Sequence, residues 1–176
     1  AYFADPVWET LPEASPTVAK QRGAEPGFDD WYRANVVDHR TPGYAIVNLS
    51  LKSPGIAPGD LTGDQMDKVA DLAERFSLGE LRVSHRQNLV FPDVRQQDLH
   101  TLWQELGDLS LATPNIGQLT DIIACPGLDF CALANARAIP VAQDIGRHFS
   151  DAAALQDIGA ATINISGCIN ACGQHH

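Results

Sequence analysis

At 176 residues, 44% hydrophobic and 19% charged, the chain is long enough to bury a core, as one domain or as two small ones. Its formal charge of −10 and pI of about 4.8 leave no basic tract of the kind that follows phosphates, so nucleic acid is not an expected partner. No apolar run reaches membrane-spanning length, and the first residues, Ala1 to Pro6, lack a basic stretch followed by an apolar core; the expectation is a cytoplasmic protein without membrane contact.

Residues 1–40 read as an N-terminal arm or linker, rich in Pro, Ala and Glu through Phe28, with a short helix from Asp29 to His39 built on Trp31, Tyr32, Val36 and Val37. Tyr44 to Lys52 is a predicted strand, with Ala45, Val47, Leu49 and Leu51 on one face. Thr62 with Gln65 has the form of a capping box, and Met66, Val69, Ala70, Ala73 and Phe76 follow at helical spacing over Asp64 to Phe76. Gly79 ends that helix. Leu81 to Phe91 makes one or two strands, and Gln96 to Leu106 a second helix with Leu99, Leu102, Trp103 and Leu106 inward. This order suits an α+β fold, a ferredoxin-like half-domain over residues 41–112.

After Thr113 to Gly117, residues 113–176 read as the start of an α/β cysteine-bearing domain. A strand over Leu119 to Ala124 leads into Cys125. Asp129 is placed to cap a helix running to Ala138, which Pro140 restarts as far as His148, and Ala161 to Ser166 is a strand. The four cysteines stand in two pairs, Cys125 and Cys131 with five residues between, then Cys168 and Cys172 with three between. In a reducing compartment such a set is more often a metal site than two disulfides. Four thiolates at one point suffice for a tetrahedral metal or an iron–sulfur cluster. Structural zinc, disulfides and buried free thiols are the rival readings, although zinc ligands usually stand two to four residues apart. Pro126 and Gly127 form a turn able to aim N–H groups at sulfur, and Cys131 near a helix start would gain from the helix dipole.

Cys125-Pro126-Gly127-Leu128-Asp129-Phe130-Cys131, then Gly167-Cys168-Ile169-Asn170-Ala171-Cys172-Gly173, resembles the signature of the sulfite and nitrite reductases that carry sirohaem and a 4Fe–4S cluster, the sulfite reductase haemoprotein beta-component type. Leu133-Ala134, Ile165-Ser166 and Leu81-Arg82-Val83-Ser84 with Gln87-Asn88 add to the likeness, with Ser84 where the family often has Thr. The resemblance implies a C-terminal half, truncated at both ends, whose partner is the missing N-terminal half of the same enzyme. It implies that Cys125, Cys131, Cys168 and Cys172 ligate the cluster and that Cys172 also bridges to the sirohaem iron. Asn170 would lie against the macrocycle, with Arg82, Arg86, Gln87 and Asn88 on the strand segment that contacts it. The implied activity is six-electron reduction of sulfite to sulfide, or of nitrite to ammonia, with ferredoxin or a flavoprotein as electron donor. No catalytic residue is expected in this stretch, because the groups that neutralise substrate come from the other half, and the chain alone is expected to be inactive. His175 and His176 read as packing around the site; His39, His85, His100 and His148 read as surface or helix positions. The non-enzymatic alternatives are a zinc-stabilised module and a ferredoxin-like binding domain with incidental thiols.

Overall fold

In the computed structural model, which describes residues 6–13 and 15–175, Pro16 and Pro26 each open a helix, α1 (Pro16–Ala24) and α2 (Pro26–Asn35). Proline lacks only an N–H that the first turn leaves unsatisfied anyway, so it starts helices that it would break from within. The stretch expected to be irregular through Phe28 is therefore helical from Pro16. Phe28 and Trp31 are fully buried. The second helix stops at Asn35 rather than His39, because Val36 and Val37, β-branched and poor in helices, join the sheet as β1 (Val36–Asp38).

The sheet is antiparallel throughout, in the order β1-β2-β4-β3, with β2 (Tyr44–Leu49), β3 (Arg82–Val83) and β4 (Leu89–Arg95). Ala45, Val47, Leu49 and Leu51 are buried as their alternation requires. The strand expected to stop at Phe91 runs on through Pro92. Ala45 pairs with Val94 but Val47 with Phe91, so β4 holds one extra residue there, and the bulge accommodates a proline that could not join a regular ladder.

Helix α3 (Gly63–Phe76) starts with the expected capping box, Thr62 Oγ1 accepting from Gln65 N–H at 3.2 Å while Gln65 Oε1 accepts from Thr62 N–H at 3.0 Å. Its inward stripe is Val69, Leu72 and Ala73; Met66 is 58% exposed and Ala70 is also outside. A short 3-10 turn (Gln96–Asp98) precedes α4 (Leu99–Asp108), whose Leu99, Leu102 and Leu106 are wholly buried. These residues, with Phe28, Trp31, Phe91 and Val94, form one core.

The second unit is a parallel pair, β5 (Ile123–Ala124) beside β6 (Asn164–Ile165), with α5 (Ala138–His148) and α6 (Ala152–Ile158) between them in sequence. Both strands are shorter than expected. No helix runs from Asp129 to Ala138. The N–H groups of Asn135 and Ala136 both turn to Gly167 O, at 2.8 and 3.1 Å, and Asp129 pairs with Arg137 instead of capping a helix. Donors committed to another segment cannot close i to i−4 bonds. Cys131 therefore lies in a turn, and the expected helix-dipole stabilisation does not apply to it.

The two units meet at a buried ion pair. Lys52 Nζ stands 2.7 Å from Asp121 Oδ1, and both side chains are almost completely enclosed. Lys52 also donates to Asn88 Oδ1 (2.9 Å) and Arg86 O (2.5 Å). Asp121 further accepts from Asn88 Nδ2 (3.0 Å) and from Gly117 N–H (3.0 Å). Burial by itself would raise the Asp121 carboxyl; the Lys52 ammonium and these hydrogen bonds outweigh it and hold Asp121 below its ordinary range.

Three outcomes are expected. Leu102→Ala should cost about 2–5 kcal/mol in urea unfolding, whereas Met66→Ser should change stability by no more than about 0.5 kcal/mol. Asp121→Asn should cost about 3–5 kcal/mol, because Lys52 is left as an uncompensated buried charge. Because the Asp121 value is lower folded than unfolded, its contribution is complete above about pH 4 and is lost as pH falls through the folded value; acid titration of the Asp121→Asn variant should show a shallower loss of stability over that range.

Candidate cysteine site

Cys125 follows β5 directly and is 6% exposed; Cys131 and Cys168 are half-buried and Cys172 is exposed. All four are free thiols. Among the described residues no three or more His, Cys, Asp or Glu are arranged to hold a metal ion, so the four sulfurs are not converged. What the fold does bring together is the two cysteine-bearing segments. Gly167 N–H donates to Cys125 Sγ at 3.0 Å, and Gly167 O receives the two N–H groups of Asn135 and Ala136 that follow Cys131. Such an N–H···S bond orients the sulfur and would tune a metal that it held. The donor is Gly167 of the second segment, where the Pro126–Gly127 turn was the expected source.

Close backbone approach holds the two segments in place. A Cβ on Gly167 would stand 2.6 Å from Ala136 O, and one on Gly173 would stand 2.1 Å from Ile165 O. Neither position admits a side chain. Gly173 N–H donates to Ser166 Oγ at 2.9 Å, which folds the second segment back on the strand it leaves. Ala171 takes φ 56° within this loop, and Asn170 and Ile169 project outward, Ile169 being 93% exposed. Leu128, Phe130 and Leu133 are exposed around the first segment.

The β3–β4 residues divide into two groups. Arg82 is exposed and pairs with Glu80 at 2.5 Å. Arg86 is half-buried, its Nε 3.5 Å from Asp121 Oδ2, and its buried Nη2 has no hydrogen-bond partner among the described residues. Asn88 is 3% exposed and spends its amide on Leu51 N–H, Lys52 and Asp121. Gln87 bonds the backbone of Ala124, one residue before Cys125.

His39 departs from the surface or helix position expected of it, whereas His100 lies in helix α4, one of the two positions expected. His39 accepts Thr41 N–H on Nδ1 at 2.8 Å, so Nε2 carries the hydrogen that faces buried Asp93 at 3.3 Å. His100 pairs with Glu25 at 2.8 Å and packs edge-on against Phe28. His85 is exposed, His175 is exposed and lines a depression with Asn135, Asn164 and Cys168, and His176 lies outside the described residues. Lys52, Asp121 and Gln174 have no role in the sequence reading. A lone lysine ending an apolar strand face and a lone aspartate inside an apolar run were the available signals for the first two.

A profile of the nitrite/sulfite reductase ferredoxin-like half domain matches residues 39–109. A chloroplastic ferredoxin–nitrite reductase of Betula pendula is 31% identical over 132 residues, 72% of this chain and 21% of that protein. A sulfite reductase (ferredoxin) of Mycobacterium tuberculosis is 30% identical over 144 residues, 78% of this chain and 25% of that protein. The solved structure of the NirA protein of Mycobacterium tuberculosis superposes on 80% of this chain and 25% of its own with a TM-score of 0.63 at 28% identity. The chain thus spans about a quarter of the length of these relatives. With the half-domain sheet matched by profile, by relatives of both substrate types and by fold, the chain belongs to the nitrite/sulfite reductase family.

Proposed function

We propose that this chain is part of an assimilatory enzyme that reduces sulfite to sulfide with six electrons, acting together with an N-terminal half. The observation that carries the reading is the seating of the two cysteine segments against each other, with Gly167 N–H on Cys125 Sγ and no room for a side chain at Gly167 or Gly173. Four free thiols, soft donors in two backbone-locked loops, fit a 4Fe–4S cluster in their chemistry. Cys125, Cys131, Cys168 and Cys172 would hold it, and Cys172, the most exposed of them, would be the thiolate shared with a sirohaem iron. When bound, this pair supplies electron transfer to an oxyanion at the iron.

The chain's own residues hold and orient. Cysteine binds such a group as thiolate, so loading the four sulfurs would release protons and draw the two loops together. Asn170 projects from the second loop, where it would face the macrocycle. Arg86 offers an unmatched buried Nη2 donor to an anionic group, and Arg82 an exposed guanidinium. No acid, base or substrate-neutralising group is assigned to these residues; that work falls to the other half. Ferredoxin, which the names of the relatives carry, is the proposed donor, with a flavoprotein as alternative. The cytoplasm is the proposed compartment. Nitrite is the alternative substrate, since relatives of both kinds match at about the same identity; the wording of the two cysteine motifs favours sulfite.

Anaerobically purified chain should carry about four irons and four acid-labile sulfides per molecule and a broad brown absorption. Stoichiometric zinc in place of iron, in a colourless sample, would replace this reading with a structural-zinc module. Gly173→Ala should abolish iron retention while leaving urea unfolding of the larger core in place, because the contacts disturbed, at Ile165 and at the Ser166 hydroxyl, lie within the second cysteine segment and the strand it leaves.

A further inference from the structure

Strand β5 has two edges. On one it pairs with β6, Ile123 N–H and Cys125 N–H both donating to that side, to Ile163 O and Ile165 O at 3.0 Å each. Along a strand, successive residues direct their N–H and C=O groups to alternate edges, so the N–H and C=O of Ala124 face the other edge. Among the described residues no strand lies there. The side chain of Gln87 takes its place: Gln87 Nε2 donates to Ala124 O at 2.8 Å, and Gln87 Oε1 accepts Ala124 N–H at 3.0 Å. One primary amide thus makes both bonds that a neighbouring strand would have made.

The backbone that presents Gln87 is itself unusual. Gln87 has φ 57°, in the left-handed region that a non-glycine residue enters at a cost. The turn that holds it there is pinned from several sides. Ser84 N–H donates to Asn88 O (2.8 Å), Gln87 N–H to Ser84 O (3.2 Å), and Ser84 Oγ accepts from Asn88 N–H (3.2 Å). Asn88 is anchored by Lys52 and Asp121. Gly59 closes against the Gln87 side chain, where a Cβ would come within 3.1 Å of Gln87 Cβ. The same turn reaches the second cysteine segment, since His85 O accepts from Gln174 Nε2 at 2.9 Å, two residues past Cys172.

We infer that Gln87 is a positioning residue that, through the backbone of Ala124, sets where Cys125 Sγ meets Gly167 N–H. This deepens the cluster reading, on which its functional meaning rests. Gln87 was expected to contact cofactor; its amide here makes one donated and one accepted bond to Ala124, through which it acts on Cys125. The strained turn is the device by which the antiparallel sheet fixes a sulfur in the other unit. Without the amide, Ala124 loses both of its partners on the open edge, and β5 is free to shift along β6 or to open, carrying the first cysteine with it.

The test uses the full 176-residue chain, metal-free, as wild type, Gln87→Ala and Gln87→Glu. Alkylation by iodoacetamide is followed at each cysteine by mass spectrometry, with amide exchange at Ala124 and urea unfolding on the same samples. In Gln87→Ala the Cys125 rate should rise about tenfold and Ala124 exchange with it, as for local opening after two hydrogen bonds are lost, while Cys131 and Cys172 stay within about twofold of wild type. Gln87→Glu keeps the acceptor for Ala124 N–H and loses the donor to Ala124 O, and should fall between. An unchanged Cys125 rate in Gln87→Ala overturns the inference, as does a rise at all four thiols in step with lost global stability. Should Gln87→Ala fail to fold, the Glu variant decides: a wild-type Cys125 rate there rejects the clamp. After iron–sulfur reconstitution, a shifted midpoint potential in Gln87→Glu would be a second supporting readout. Wild-type chain that takes up no iron would reject the cluster reading, while the thiol and exchange data would still decide the role of Gln87.

Discussion

Lys52 crosses from the end of the antiparallel sheet into the second unit and meets Asp121 in a space that excludes water from both. A buried pair of this kind adds little net stability over a well-packed apolar substitute, but it is severe toward misplacement, since either charge left alone costs several kilocalories per mole. The three ammonium protons of Lys52 are all directed, to Asp121, Asn88 and Arg86 O. Asn88 bonds both partners, Gly117 N–H closes Asp121, and Asn115 Nδ2 holds the Lys52 carbonyl at 3.1 Å. The approach of the two units is therefore specified by hydrogen-bond geometry and charge together, where a greasy contact would tolerate sliding. Cys125 lies four residues beyond Asp121 and inherits that specification.

Within the cysteine region the ordering principle changes from side chains to backbone. Gly167 donates to sulfur and accepts from Asn135 and Ala136, and Gly173 closes against Ile165. Donors and acceptors on the main chain do not rotate away as side chains do, so loops crossed in this way hold their shape with little regular structure. The proposed cluster would need such loops: thiols presented on segments fixed by their own backbones, with apolar Leu128, Phe130, Leu133 and Ile169 outside them. Their exposure contrasts with the strict burial of Leu99, Leu102 and Leu106 in α4.

How much of this was legible in the sequence depends on whether the decisive interaction was local. The capping box at Thr62 and Gln65 and the alternating face of β2 are local, and both stand as read. The position of Met66 was misjudged because Val69, Leu72, Ala73 and Phe76 define a stripe rotated away from it, and including Met66 and Ala70 widened the face beyond what the sheet covers. The helix expected after Asp129 fails for a distant reason, the claim of Gly167 O on Asn135 and Ala136. The Lys52–Asp121 pair and the Gln87 clamp span 69 and 37 residues, and nothing near either end announces a partner. The cysteine spacing carried the resemblance to the family, and the half-domain profile and the relatives bear the family out; the contacts that seat the cysteine segments are long-range and leave no local mark in the sequence.

The size of the second core explains why those supports matter. Its buried members are Ile122, Ala124, Cys125, Ala138 and Ala142, mostly small side chains, around strands of two residues each. Apolar burial contributes about 25 cal/mol per Å², and alanines bring little area, so this unit has a weak claim to independent stability. The antiparallel sheet, by contrast, packs Phe28, Trp31, Phe91 and a row of leucines into one continuous core. Order in the cysteine loops is then borrowed across the junction, through Lys52 and Asn88 to Asp121 and through Gln87 to Ala124. A fold organised in this way keeps the cysteine segments lightly constrained on their outer side, where the proposed cluster would enter, and firmly constrained on the inner side, where Cys125 is held.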